Sequence, residues 1–373
     1  MKSRKQKILC GADVVARDGF DFQGKCGLIT NHTGVLRDLS STVDMLKSKC
    51  NLVALFGPEH GVRGDVQAGE SVASYTDKKT GLPAYSLFGD NISESEKALT
   101  ALDTVIFDIQ DVGARFYTYA YTMTDAMKLC AEHSIKFVVL DRPNPIGGIK
   151  AEGTVLDRKF SSFVGRFPTP TRSGLTIGEF ALMMNETENI GCELAVIPME
   201  GWKRDMYYDD TDLCFVQPSP NIPTVDTAFV YIGTCIFEDT NLSEGRGTTK
   251  PFEMIGAPWL DSKAVIETVG KQDGVILRKC SFTPSFSDYE GIFCHGIQLH
   301  VTDRDAFSPF AVSIRLLDAI RKTHSEFEIE RDIVKLLGTD EIFSSDFNAE
   351  EFTELENSKS AEWQTFSKKW YLY

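Results

Sequence analysis

An α/β fold built on a parallel sheet is predicted for the first part of this chain, and two observations predict it. Short, continuously apolar runs recur at residues 26–30, 51–56, 104–109, 136–140 and 193–198. Runs of this kind belong to strands covered on both faces. Helical patterns stand between them, so strand, loop and helix alternate, and that alternation implies a parallel sheet with helices on either side.

The elements follow in order. Residues 26–30 form a strand closed by Asn31-His32-Thr33-Gly34, and residues 41–49 an amphipathic helix. The strand at 51–56 stops at Gly57-Pro58. Residues 82–87 read as a short edge strand, because Pro83 lacks the N–H that a central strand needs. Ser93, with Glu96 three residues on, caps the next helix. A strand at 104–109, a helix at 118–133 and a strand at 136–140 follow. A helix capped by Thr176 covers 177–185, and 193–198 is one more strand. From about Leu213 the texture changes. Gln217-Pro218-Ser219-Pro220-Asn221-Ile222-Pro223 is a stiff, extended segment. Helices at 263–268, 309–321 and 350–369, with strands at 275–278 and 296–301, then read as α+β. The predicted domains are residues 7–205 and 210–373.

The 373 residues are 42% hydrophobic and 25% charged, which suits a globular protein with full-sized cores. A net charge of −15 argues against nucleic acid and against anionic membrane surfaces as partners. No apolar run reaches the roughly 20 residues of a membrane span. The basic start, Met1 to Lys7, lacks an apolar core behind it, so no signal peptide is visible and a cytoplasmic location is expected. A leader already removed would make the protein periplasmic or secreted. Nine scattered cysteines show no Cys-x-x-Cys pair and read as free thiols, most of them buried.

Polar residues gather at the strand ends. The first strand ends in Asn31 and His32, the second in Glu59-His60-Gly61-Val62-Arg63. The third ends in Asp108, Asp111 and Arg115, and the fourth in Asp141, Arg142 and Asn144. In an open parallel sheet these ends share the edge where ligands bind, so one cleft is predicted there. No Gly-x-Gly-x-x-Gly and no phosphate-binding loop is present, and no Gly-x-Ser-x-Gly elbow. No closely spaced His pair marks a metal, so neither cofactor nor metal is expected. Carboxylate acid/base chemistry remains. Glu59, with His60 and Arg63 at hand, and Glu244, with Arg246, sit between glycine-bounded turns. Two carboxyls in different surroundings can hold different protonation states, as glycoside cleavage requires.

The chain resembles the exo-β-N-acetylmuramidase family of bacterial cell-wall recycling. The resemblance is carried by residues 28–34, 56–64, 80–87, 107–119, 140–145, 198–202, 218–224 and 241–248. It implies a Rossmann-like, three-layer N-terminal domain without a nucleotide, a smaller α+β domain, and an active site in the cleft between them. It also implies release of N-acetylmuramic acid from the non-reducing end of peptidoglycan fragments. Glu59 falls on the main glutamate motif as its acid, and Glu244 on the second, with His60 beside them. The lactyl carboxylate of such a substrate calls for a cation, and Arg63, Arg115, Arg142 and Arg246 lie in the clusters. Tyr117 is placed to stack on a sugar face. Asn31, His32, Asp108, Asp111, Asp141, Asn144, Asn221 and Asn241 complete the expected substrate-binding set. Two other readings stay open: a non-catalytic muropeptide-binding protein, and a metal-dependent hydrolase using Asp108, Asp111 and His60.

Overall fold

The computed structural model describes residues 5–59, 61–62, 74–88 and 92–373. His60 and Arg63, two of the expected site residues, lie outside them. The chain enters through α1 (Gly11–Asp18), then β1 (Lys25–Thr30), α2 (Thr42–Lys49) and β2 (Asn51–Gly57). β3 (Tyr75–Thr76), β4 (Pro83–Ser86), α3 (Ile92–Leu99), β5 (Thr104–Asp108) and α4 (Tyr119–Glu132) follow. β6 (Lys136–Leu140), α5 (Ile177–Thr187) and β7 (Leu194–Ile197) complete a seven-stranded sheet of order β3-β4-β2-β1-β5-β6-β7. Every neighbouring pair in it is parallel except β3 with β4.

The strands are apolar on both faces because both faces are covered. Leu28, Leu55, Ile106 and Val138 point to a core with Ala12, Val15, Val43 and Leu46 of α1 and α2. Their neighbours Ile29, Phe56, Phe107 and Val139 point the other way, to Met123, Met127, Ala181 and Met184 of α4 and α5. This is the two-residue period of a strand read on both sides. The predicted α/β class is observed.

Local differences have local causes. β4 lies one strand in from the edge, because two-residue β3 pairs outside it; Pro83 stands at the strand's first position opposite Thr76, where its missing N–H is tolerated. Ser93 sits inside the first turn of α3 and is not its cap. Thr176 does cap α5, in a reciprocal capping box with Glu179.

Beyond β7 the chain crosses the carboxyl edge of the sheet, with a short 3-10 turn at Tyr208–Asp210, and enters α6 (Val225–Thr234). A 3-10 turn, Cys235–Asp239, extends α6 directly. β8 (Met254–Ala257), α7 (Ser262–Val269), β9 (Val275–Phe282) and β10 (Cys294–Val301) come next. The three strands form an antiparallel sheet of order β8-β10-β9. α8 (Pro309–Thr323), α9 (Ile333–Leu337) and α10 (Ala349–Ser367) close the chain. The sequence pattern does not predict α6. It is buried almost all round, so it lacks the polar stripe by which a helix is recognised. Phe116 of the sheet's carboxyl edge meets Tyr231 of α6 edge-on at 4.9 Å, and one apolar core runs through both parts. All nine cysteines are unbridged. Among the described residues, no helix is long and apolar enough to cross a membrane.

Candidate active site

The sheet order reverses at β1, with β2 on one side and β5 on the other. Ligands bind outside the carboxyl ends of the strands at such a switch point. Here the two strand ends are stitched together: Thr30 donates its hydroxyl to the carbonyl of Asp108 at 2.9 Å, and the Gln110 N–H donates to Thr33 Oγ1 at 2.9 Å. A cleft of about 350 Å³ opens beside them. Glu59 reaches it from the end of β2, Tyr117, Thr118 and Tyr119 from the start of α4, and Ser219 and Asn221 from the connection to α6. Tyr231, Cys235 and Glu238 enter from α6 and its 3-10 turn, and Arg246 from the glycine-rich loop behind.

Glu59 is held where α4 begins. Thr118, the residue before the helix, donates its hydroxyl to Glu59 Oε2 at 2.8 Å. A carboxylate at that place meets the positive end of the helix dipole. Across the cleft Arg246 joins two carboxylates: its Nη2 donates to Glu238, and its Nε lies 3.0 Å from Glu244 Oε1. The glycines flanking Arg246 make this possible. Gly245 and Gly247 have φ of 85° and 73°, and a Cβ on Gly247 would stand 2.5 Å from the Phe286 carbonyl.

The two carboxyls beside Arg246 differ. Glu244 is 1% exposed and does not reach the cleft; burial pushes its carboxyl up to about 7 against the pull of Arg246. Glu238 lines the cleft, and burial raises it too, with Arg246 opposing. Glu238 is absent from the expected set because no glycine or proline marks it, and it ends a helix that the sequence pattern does not reveal. The available signal is Arg246 itself, a cation following two glutamates, one of them eight residues back.

Several expected binding residues have structural partners instead and do not line this cleft. Asp108 takes Arg142 through both oxygens, at 2.6 and 2.8 Å, in a fully buried pair. Arg142 is therefore not offered to a substrate anion, and Asp108 is not offered to a metal. Buried Arg115 donates to the carbonyls of Thr169, Leu336 and Leu337, tying the sheet's edge to α9. Asp141 accepts from Thr176, Gly178 and Tyr373. Asn144 bridges Leu175 and Ile146, and Asn241 holds Glu326 and Glu328. Asn31 accepts from the Thr33 N–H and hydroxyl, and His32 bonds the Gln217 carbonyl at 2.6 Å. Asp111 lines a separate cavity of about 30 Å³, room for a water; burial pushes its carboxyl up to about 7. Of the expected set, the cleft brings together Glu59, Tyr117, Asn221 and Arg246, with Glu244 one layer behind.

Comparison with known proteins gives this arrangement a family. Sequence models of the exo-β-N-acetylmuramidase NamZ match residues 26–226 with their N-terminal part and residues 229–373 with their C-terminal part. The peptidoglycan β-N-acetylmuramidase NamZ of Bacillus subtilis (strain 168) is 47% identical, over 98% of this chain and 91% of its own length. Crystal structures of two DUF1343 family proteins from Bacteroides fragilis NCTC 9343 superpose with TM-scores of 0.88 and 0.79. They are 36% and 30% identical, and each match covers 98% of this chain and 99% of the other. The chain belongs to the exo-β-N-acetylmuramidase NamZ family.

Proposed function

We propose that this protein is a glycoside hydrolase that releases N-acetylmuramic acid from the non-reducing end of peptidoglycan fragments, with Glu59 and Glu238 as its acid/base pair. The observation that carries this pairing is that Glu59 and Glu238 enter one cleft from two different parts of the fold. Among the described residues they are the two carboxyls that line it. Cleavage needs one carboxyl to protonate the departing oxygen while the other attacks the anomeric carbon or activates water. Arg246 fixes the direction of Glu238, and Thr118 that of Glu59. Arg246 is also the one arginine among the described residues that lines the cleft, and its remaining N–H groups suit a lactyl carboxylate. The nine unbridged thiols support a cytoplasmic site of action on imported fragments.

The test is release of N-acetylmuramic acid from the disaccharide N-acetylmuramyl-β-1,4-N-acetylglucosamine, read by mass spectrometry. Glu59→Gln and Glu238→Gln should each lower kcat by about 10²- to 10⁴-fold, with melting midpoints near wild type. In the alanine variants Glu59→Ala and Glu238→Ala, azide rescue that yields a glycosyl azide of inverted anomeric configuration identifies the carboxyl that attacks. Binding without turnover by the wild-type protein would support a non-catalytic muropeptide-binding protein instead, and full turnover by Glu238→Gln would remove Glu238 from the pair.

A further inference from the structure

The cleft has two unlike ends. Tyr231, Cys235 and Phe252 line one end and are almost fully buried, beside Glu238 and Arg246. At the other, Phe88, Phe163 and Val164 stand at the solvent boundary, and Phe163 is 43% exposed. The two phenylalanine rings lie 5.5 Å apart, tilted by 49°. Neither is loose. Phe163 sits at the tip of a tight turn closed by Ser162 N–H to Gly165 O at 2.7 Å and Gly165 N–H to Ser162 O at 3.3 Å. Arg166 anchors that turn to Asp125 and stacks near the Phe163 ring at 6.0 Å. Phe88 is fixed just past β4, where Ser86 Oγ both donates to its carbonyl at 2.9 Å and accepts from its N–H at 3.2 Å.

We infer that Phe88 and Phe163 form the leaving-group subsite, a platform for the apolar face of the N-acetylglucosamine ring that follows the scissile bond. The inference rests on the functional reading above. An enzyme that removes a terminal sugar places that sugar in the closed end of its cleft and leaves the rest of the chain at the mouth. Here the closed end holds the cation and carboxyl suited to N-acetylmuramic acid, so the mouth receives the leaving group. An aromatic ring held in place loses little freedom on binding, and it offers a flat apolar face to the C–H face of a pyranose. No charged residue is needed there, because N-acetylglucosamine carries none.

The experiment compares two substrates in the full-length enzyme: the disaccharide N-acetylmuramyl-β-1,4-N-acetylglucosamine and the methyl β-glycoside of N-acetylmuramic acid, whose leaving group has no ring. Phe163→Ala should raise KM for the disaccharide by about 2- to 12-fold, the range of a single aromatic contact, with kcat nearly unchanged. The methyl glycoside should keep its wild-type KM. Phe163→Trp, which retains the platform, should restore disaccharide KM to near wild type. An unchanged disaccharide KM in Phe163→Ala overturns the subsite, and so does an equal rise with both substrates. Wild-type enzyme that opens neither glycoside overturns the functional reading, and the subsite with it.

Discussion

At the residue scale the division of labour around Arg246 is the feature most open to measurement. Glu238 and Glu244 both pair with it, but only Glu238 reaches the cleft. On the proposed pairing, Glu244 acts through Arg246, as a positioning residue. Its carboxyl, pushed up to about 7 by burial, changes charge close to neutral pH. When it ionises it competes with Glu238 for the guanidinium and adds a negative neighbour that raises Glu238. Glu244→Gln should leave kcat within about 10-fold of wild type and move the limb of the pH–activity profile that Glu238 sets to lower pH. A loss as deep as that of Glu238→Gln, with no movement of the limb, would return Glu244 to direct chemistry. The contrast shows what a sequence can disclose about a site. Glu59 is legible because Gly57, Pro58 and Gly61 force the chain to turn and present it. Asp108 and Arg142 carry equally suggestive side chains, yet they satisfy each other, and pairing across strands leaves no local trace.

At the element scale, the strands of the large sheet are legible because burial on both faces makes them apolar without a break. Helices with one wet face, such as α2, α7 and α10, are legible for the complementary reason. α6 has no wet face, and Glu238 is missed along with it. The junction of β6 with α5 shows how elements are fastened here. Asp141, at the end of β6, accepts from Thr176 Oγ1 at 2.8 Å, from Gly178 N–H at 2.8 Å and from Tyr373 Oη at 2.7 Å. The same Tyr373 oxygen accepts from the Met199 N–H at 2.8 Å, just past β7. One carboxylate and one phenol therefore join two strands, a helix start and the last residue of the sequence. Tyr373→Phe removes one donor to a fully buried carboxylate and one acceptor for a backbone N–H. It should cost about 1–3 kcal/mol in chemical denaturation, with kcat on the disaccharide unchanged, because neither group lines the cleft. A stability equal to wild type would mean that this junction contributes nothing measurable.

At the scale of the whole molecule, three buried carboxyls give the stability a sign with pH. Burial pushes Asp111 and Glu244 up to about 7 and Asp141 to about 6. In the unfolded chain such groups titrate at about 4. Between about pH 4 and pH 7 the native state therefore holds protons that the unfolded state has released. Stability from these groups is fully present below about pH 4 and is lost as pH rises through 6 and 7. The net charge of −15 at pH 7 adds self-repulsion in the same direction. The melting midpoint should accordingly be higher at pH 5.5 than at pH 8. Net charge and buried carboxyls are separable by substitution. Glu244→Gln alters the net charge by a single unit but removes an entire buried titration. That titration is worth on the order of 3 kcal/mol, because a tenfold change in proton affinity corresponds to about 1.4 kcal/mol. The variant's midpoint should change less between pH 5.5 and pH 8 than that of the wild type. An identical change in both proteins would show that Glu244 does not titrate in that range and would leave the effect to Asp111, Asp141 and surface charge.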